Sequence, residues 1–320
     1  MDSFKGVDLS KLVHKSTPDI PFKVPKKVPG RVVHIDADFL AYQVAYDDEK
    51  SVEEMRHNCD EIILKLQLMA GAEFTLLHLT PKGSDKGGRY DAAILKEYQA
   101  NRKDKPKPKL LHVMREWMHK ERDAVLHMHC EADDGMSIAQ YKAIAEGSRN
   151  LSIIATKDKD LTMVPGLMLD WDDGEITDTE DDFGFIFLDE GNPEAKSPTK
   201  KIRGRGWKYF WAQMLTGDPA DNISGLPKVH TPLYLPTGKP KACGPVMAYE
   251  ILSTVPDNKA AFKLVRDLYK DCGVGQGYVH YQTGEEVPFG KVFQSEARLL
   301  WMRRDIDMDD VVHWMKDHCL

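Results

Sequence analysis

Apolar and polar positions alternate along the chain in two different periods. Residues 30–36 (GRVVHID) are rich in β-branched side chains, follow a Pro-Gly turn and predict a strand. The stretch 52–70 (VEEMRHNCDEIILKLQLMA) instead places its apolar residues at helical spacing. The same switch repeats downstream: strand at 73–79 (EFTLLHL), helix at 110–121, strand at 124–129 (AVLHMH), helix at 134–146, strand at 151–156 (LSIIAT). Strands alternating with helices predict an α/β fold, a mainly parallel central sheet with helices on both faces. GLMLDW and FGFIFL predict two further strands around an acidic run, residues 170–182 (DWDDGEITDTEDD). We read that run as a solvated hairpin loop, with a DNA-mimicking or partner-binding role as the alternative. From about residue 205 the pattern is mostly helical (GWKYFWAQMLTG, GPVMAYEIL, NKAAFKLVRDLYKDC, QSEARLLWMRR). The chain therefore divides into a polar, proline-punctuated arm over 1–28, an α/β domain over 29–204 and a helical region over 205–320.

Charge changes this picture more than bulk composition does. The formal net charge of −7 speaks against a simple nucleic-acid binder, but the signs are segregated. Residues 101–109 (NRKDKPKPK) carry five basic side chains against one acid, and residues 195–217 carry Lys196, Lys200, Lys201, Arg203, Arg205 and Lys208 with no acid. Such patches attract phosphate locally while the total stays negative; we read 195–208 as a DNA contact, with a solvated loop as the bland alternative. No apolar run approaches the roughly 18–20 residues needed to span a membrane, and the N-terminal stretch lacks a secretory apolar block, so a cytoplasmic location is expected. The five cysteines are scattered and odd in number, which argues against a disulfide framework or a cysteine-based zinc site. His127 and His129 alternate on the expected strand and read as half-buried strand histidines rather than zinc ligands. Trp207 and Trp211, at i and i+4, read as core rather than as base-stacking side chains.

The acids fall at particular places. Asp36 ends the first strand; Glu131, Asp133 and Asp134 (HCEADDGM) follow the 124–129 strand; Asp158 and Asp160 (IATKDKDL) follow the 151–156 strand; Asp218 and Asp221 (LTGDPADNISG) come from the helical region. An open parallel sheet binds its ligand beyond the carboxyl ends of its strands. Crowded carboxylates without cationic partners are unfavourable unless a cation binds. All-oxygen donors suit Mg2+ or Mn2+. More acids than one ion needs points to two ions, the arrangement that supports in-line phosphoryl displacement. The bland readings are a charged helix N-terminus for EADD and Asp-rich turns for DKD and GDPAD. Asp160 and Asp221 can equally be supporting or capping residues, and Asp38 either a helix N-cap or a ligand.

IDADFLAY (35–42), YQANR (98–102), EADD (131–134), TKDKDL (156–161) and GDPADNISGLP (217–227), in this order, resemble the 5′-nuclease superfamily: flap endonucleases and bacteriophage 5′→3′ exonucleases on a PIN-like fold. The resemblance covers about residues 30–250 and is nearest to the phage-type exonucleases. It implies that Asp36, Glu131, Asp133 and Asp134 surround one metal ion and that Asp158, Asp160, Asp218 and Asp221 serve a second. It further implies phosphate contacts from Arg89 and Arg102, and a helix–hairpin–helix opened by DNISGLP that grips duplex DNA with the help of a bound K+. The chain departs from the family pattern in three places. Gln99 stands where a lysine polarises the scissile phosphate, with Lys96, Lys103 and Lys86 as nearby substitutes. Thr80 stands where many members have an acid, with Asp85 a few residues on. Residues 228–241 (KVHTPLYLPTGKPK) interrupt the hairpin.

The expected activity is a divalent-metal-dependent 5′→3′ exonuclease on duplex DNA, extending to flaps and RNA primers in phage-type replication or recombination. Its partners would be DNA, RNA–DNA hybrid and replication proteins, with no membrane. The competing readings are a DNA-structure binding protein that has lost catalysis and a PIN-type ribonuclease.

Overall fold

The computed structural model describes residues 3–4, 7–8, 24–103, 105–179, 181–192, 194, 199–235 and 238–320. Most of the expected arm over 1–28 lies outside the described residues, as do Asp104, Glu180, residues 195–198 of the basic stretch and Pro236–Thr237 of the 228–241 segment.

A short antiparallel pair, β1 (Ser3–Phe4) and β2 (Val7–Asp8), precedes the first core strand, β3 (Val32–Asp36). β3 runs directly into α1 (Ala37–Ala45), then α2 (Val52–Met69) and β4 (Phe74–Leu79). Ser51 and Glu54 close a capping box at the start of α2, which sets its first turn. After α3 (Arg89–Ala92) and α4 (Leu111–Glu121) come β5 (Val125–Leu126), α5 (Ala132–Ala145) and β6 (Ser152–Thr156). β7 (Gly166–Asp170) and β8 (Ile176–Thr179) form a hairpin within the acidic run, and β9 (Phe185–Asp189) pairs with β10 (Lys201–Arg205). The helical region contains α6 (Trp207–Thr216), α7 (Pro245–Leu252), α8 (Asn258–Gln276), α9 (Phe289–Leu300) and α10 (Asp310–Cys319), with the small pair β11 (Tyr278–Val279) and β12 (Glu286–Val287) between α8 and α9.

The central sheet has six strands in the order β5-β4-β3-β6-β7-β8, parallel except for β8. This is the α/β arrangement the sequence predicts. Successive strands step outward from β3 in one direction through β4 and β5, then in the other through β6 and β7. The order reverses between β3 and β6, so a crevice opens there beyond their carboxyl ends. Val33, Ile35, Leu77, Ile153 and Ala155 bury one face of the sheet with α1, α2 and α4. Ile154 and Met168 bury the other face, with α5 and the helical region, in a core that takes residues from both sides of position 205. Trp207 and Trp211 lie in that core, as expected, and their indole N–H groups donate to Tyr141 and Asn258.

Two strand expectations need correction. The 124–129 strand is cut to two residues, because beyond His127 the chain must turn so that Glu131 can cap α5. His127 and His129 consequently do not share a strand face: His127 bonds inward to His78, and exposed His129 lies 3.0 Å from Asp85. FGFIFL forms β9, which leaves the main sheet and makes a separate two-stranded ribbon with β10.

Candidate metal and phosphate site

Of the eight acids that the resemblance assigns to metal ions, all but Asp134 gather at one cleft at the β3–β6 reversal point. Asp36 is the last residue of β3 and caps α1: its Oδ1 accepts from the Phe39 N–H at 2.9 Å, so the N-cap is Asp36 and not Asp38. Asp38 instead accepts from the Thr80 N–H and pairs with Arg115 at 2.8 Å. Glu131 and Asp133 come from the start of α5, Asp158 and Asp160 from the turn after β6, and Asp218 and Asp221 from the loop after α6. The cleft is lined by Glu131, Asp133, Asp158, Asp160 and Asp221, together with Tyr98, Gln99, Arg102 and Arg89.

The carboxylates crowd one another. Burial pushes Asp36 up to about 7, opposed by the Phe39 N–H and reinforced by Asp38 and Asp158. Asp133 is pushed well up by burial and then by Asp36, Asp158 and Glu131. Asp158 is also raised, and it connects the two ends of the cluster: it borders Asp36 and Asp133 on one side and Asp218 on the other. On the far side, oxygens of Asp160, Asp218 and Asp221 lie within 4.8 Å of one another. Burial and then Asp158 push Asp160 up to about 8. Lys159 bridges this trio, 2.7 Å from Asp160 and 3.1 Å from Asp218. Against the desolvation that lowers it, those two acids hold the ammonium above its usual range.

Asp134 does not face the cleft. Its side chain is fully buried and clasped by equally buried Arg89, NH1 to Oδ2 at 2.5 Å and NH2 to Oδ1 at 2.8 Å. Backbone N–H groups of Glu131 (3.0 Å) and Arg303 (3.4 Å) occupy the remaining lone pairs. Burial drives Asp134 up, but Arg89 more than offsets this and holds it below the usual carboxylate range. The expectation of Asp134 as a ligand gives way to an anchor for the first turn of α5. Arg89 is corrected with it: although it borders the cleft, its guanidinium is committed to Asp134, to Glu131 at 3.3 Å and to the carbonyls of Leu299 and Trp301. It is not free to hold a phosphate.

YQANR and GDPADN, far apart in sequence, dock edge to edge. The Gln99 N–H donates to the Asp221 carbonyl at 2.9 Å, Asn101 to Pro219 at 2.7 Å, Arg102 to Ala220 at 3.1 Å, and Asn222 back to Glu97 at 2.8 Å. Gln99 sits in the left-handed region, φ 55°, and its amide reaches Asp221 Oδ1 at 2.9 Å, the Tyr98 hydroxyl and Glu131. Arg102 pairs with Asp221 and is half exposed, the one expected arginine left accessible at the cleft. Of the three candidate lysines, Lys86 is the one that arrives: Nζ donates to Gln99 Oε1 and lies 3.2 Å from Glu131. Lys103 pairs outward with Glu97. Lys96 lies near Glu296, away from the cleft lining.

At Thr80 the hydroxyl accepts from the Ala132 N–H at 2.9 Å, so it caps the turn that presents Glu131 and Asp133; Asp85 turns away to His129 and the Gly87 N–H. The GDPADNISGLP loop closes on itself through an Asp218–Ile223 bridge. Only glycine fits where it closes: a Cβ on Gly225 would stand 2.2 Å from the Gly217 nitrogen. Buried Glu296 of α9 pins the loop by accepting from the Gly225 N–H at 2.7 Å, and burial pushes its carboxyl up to about 8. The inserted 228–241 segment is tied at its ends by a Val229–Lys241 bridge. Tyr98, whose hydroxyl donates to Glu131 at 2.7 Å, and Lys159 were missed as site residues, although both lie inside the quoted motifs YQANR and TKDKDL. Glu296 carried no sequence signal, because a single glutamate in an amphipathic helix looks like any surface residue.

No family model matches the chain, and no curated protein matches it. Among solved structures, it is similar to the bacteriophage T5 D15 flap endonuclease, in a pseudo-enzyme–product complex with DNA and metal ions. That match has 14% identity and a TM-score of 0.50, covering 90% of this chain and 91% of that one. T5 D15 protein co-crystallized with metal ions matches at 16% identity and a TM-score of 0.47 over 90% and 92% of the two chains. T5 5′-exonuclease with zinc bound matches at 13% identity and a TM-score of 0.48 over 90% and 97%. The first of these likenesses, at a TM-score of 0.50, speaks to architecture alone: the chain shares the fold of the T5 D15 flap endonuclease.

Proposed function

We propose that the protein is a divalent-cation-dependent 5′-nuclease that hydrolyses phosphodiester bonds of duplex DNA from 5′ ends, with flaps and RNA primers as further substrates. The observation that carries this reading is the convergence of carboxylates from four separate segments at the β3–β6 reversal, crowded enough to raise Asp36, Asp133, Asp158 and Asp160 together. The donor set is all oxygen, which fits Mg2+ or Mn2+ and not a thiol-seeking metal. Asp36, Asp133 and Asp158 would hold one ion, and Asp160, Asp218 and Asp221 the other, with Glu131 at the rim. When bound, such ions neutralise the phosphate and make water a better nucleophile at neutral pH.

The protein's own groups do the rest. Arg102 would hold a phosphate oxygen. Gln99, backed by Lys86, would orient the scissile phosphate where relatives use a lysine. Tyr98 fixes Glu131. Residues 29–204 would form the catalytic domain, while 205–320 would supply Asp218, Asp221 and the duplex grip, a helix–hairpin–helix across α6, the 217–227 loop and α7 with a K+ ion. The products would be a 5′-phosphate and a 3′-hydroxyl. A time course on 5′-labelled blunt duplex, nick, flap and RNA–DNA hybrid, in Mg2+ and in EDTA, tests this: cleavage in Mg2+ alone is expected. DNA binding without cleavage in either condition would favour the second reading, a structure-specific binding protein, for which Gln99 in place of lysine is the motivating feature. Cleavage of single-stranded RNA but not DNA would favour the PIN-type ribonuclease.

A further inference from the structure

Among the described residues, the β9–β10 ribbon leaves one face largely exposed. Ile186, Ile202 and Gly204 turn inward and are buried. On the outward face, Phe185 and Phe187 are 51% and 48% exposed, and their rings are inclined at 30° with centroids 6.3 Å apart. Burying two such side chains would stabilise the fold, yet the ribbon holds them at the surface. The register sets Arg205 directly opposite Phe185, Arg203 opposite Phe187 and Lys201 opposite Asp189, so three cations share the face with two phenyl rings and one carboxylate. Asp189 lies 3.6 Å from Arg203. Among the described residues Arg205 makes no ion pair.

The ribbon begins at the cleft. Gly206, next after Arg205, donates to the Thr162 carbonyl at 2.9 Å, and Thr162 belongs to the turn that carries Asp160. Tyr209 feels the charge of Arg203 as well as those of Lys159, Asp160 and Asp218. The ribbon is therefore joined to the turn that carries Asp160. A platform of paired aromatic rings flanked by cations suits unpaired nucleotides, whose bases stack while their phosphates meet the arginines. Duplex DNA, with its bases stacked inside, offers nothing to the rings. A hydrophobic protein partner would leave the cations unmatched.

We propose that the Phe185–Phe187–Arg203–Arg205 face binds single-stranded DNA leaving the cleft, as the unpaired part of the substrate. The inference rests on the nuclease reading and adds a subsite to it. It is tested with the full-length protein in EDTA, by fluorescence anisotropy with labelled oligo(dT) and with blunt duplex of the same length. Phe185→Ala/Phe187→Ala should weaken oligo(dT) binding by at least about tenfold, since base–aromatic stacking is worth about 1–3 kcal/mol per base, while duplex affinity holds. Phe185→Trp/Phe187→Trp should retain single-strand affinity. Arg203→Gln and Arg205→Gln should each reduce the log–log salt slope for oligo(dT) by about 0.7. Unchanged oligo(dT) affinity in the alanine variant, or equal losses on both probes, overturns the proposal. A change confined to self-association in sedimentation overturns it too, in favour of a contact between copies. If the wild type cleaves DNA but the variants behave like it, only the subsite fails; if the wild type binds neither probe, the nuclease reading falls with it.

Discussion

Asp134 is the residue on which motif and geometry disagree most sharply, and Asp134→Asn separates them. Each of its oxygens accepts two hydrogen bonds: Oδ1 from Arg89 NH2 and the Arg303 N–H, Oδ2 from Arg89 NH1 and the Glu131 N–H. An asparagine amide placed either way sets its NH2 against two donors. It also leaves the Arg89 guanidinium, 1% exposed, with only Glu131 at 3.3 Å as a charged partner. Breaking a buried pair from one side costs about 3–5 kcal/mol. At about 2 °C per kcal/mol for a chain of this size, Tm should fall by roughly 6–10 °C. The pH dependence has a definite sign. The folded carboxyl is held below its unfolded value, so its contribution is present above the unfolded value of 3.8 and is lost as pH falls through the folded one. The assay is thermal unfolding with and without Mn2+, on Asp134→Asn, Asp134→Leu, Arg89→Met and the double variant Arg89→Met/Asp134→Leu. The apolar pair should recover much of the loss, with a coupling energy of about 1–3 kcal/mol. The stabilisation that Mn2+ confers on Asp134→Asn should match that of wild type. A variant with wild-type Tm in EDTA and no response to Mn2+ would show that Asp134 is a ligand and that the reasoning is wrong.

Asp160→Asn should behave in the opposite way: removing one charge from the crowded cluster raises metal-free stability by about 1–2 kcal/mol near pH 8 while abolishing Mg2+-dependent cleavage, and retained wild-type turnover would refute it. Wild-type stability in EDTA should fall as pH rises from about 4 towards about 8. Asp36 (about 7) and Asp160 (about 8) hold protons in the folded state that they lose earlier when unfolded. Metal binding competes for the same protons, so the Tm gain from Mg2+ should grow with pH up to about 8 and level off above it; a gain independent of pH would refute this assignment. Lys86→Met should lower kcat on the order of 10²-fold with little effect on KM, whereas Lys103→Met should lower neither; equal effects would remove Lys86 from the site.

Much of this protein is legible in its sequence because its information is local. Period-two and period-3.6 patterns predict the strands and helices of the α/β region, and their alternation predicts the parallel sheet. The acids at strand ends follow from the same pattern, since a parallel sheet sends all its carboxyl ends to one edge. What local pattern cannot carry is direction within a turn. Asp133 and Asp134 are neighbours on α5, about 100° apart around the helix axis, so one enters the cleft and the other turns back to Arg89. Nothing in EADD says which, until α3 and the 301–303 segment are in place to supply the guanidinium and an N–H group. Gln99 and Lys86, thirteen residues apart, become one unit only when the Gln99 backbone adopts its left-handed turn against Asp221. The FGFIFL run shows the same division: its strand character was written in β-branched and aromatic residues, but its departure from the main sheet was decided by pairing with β10, whose cations then came to lie beside its exposed rings. Sequence alone determined which residues are acidic, apolar or extended; tertiary structure decided which of them meet, because burial and ion pairing are settled by neighbours that arrive from elsewhere in the chain.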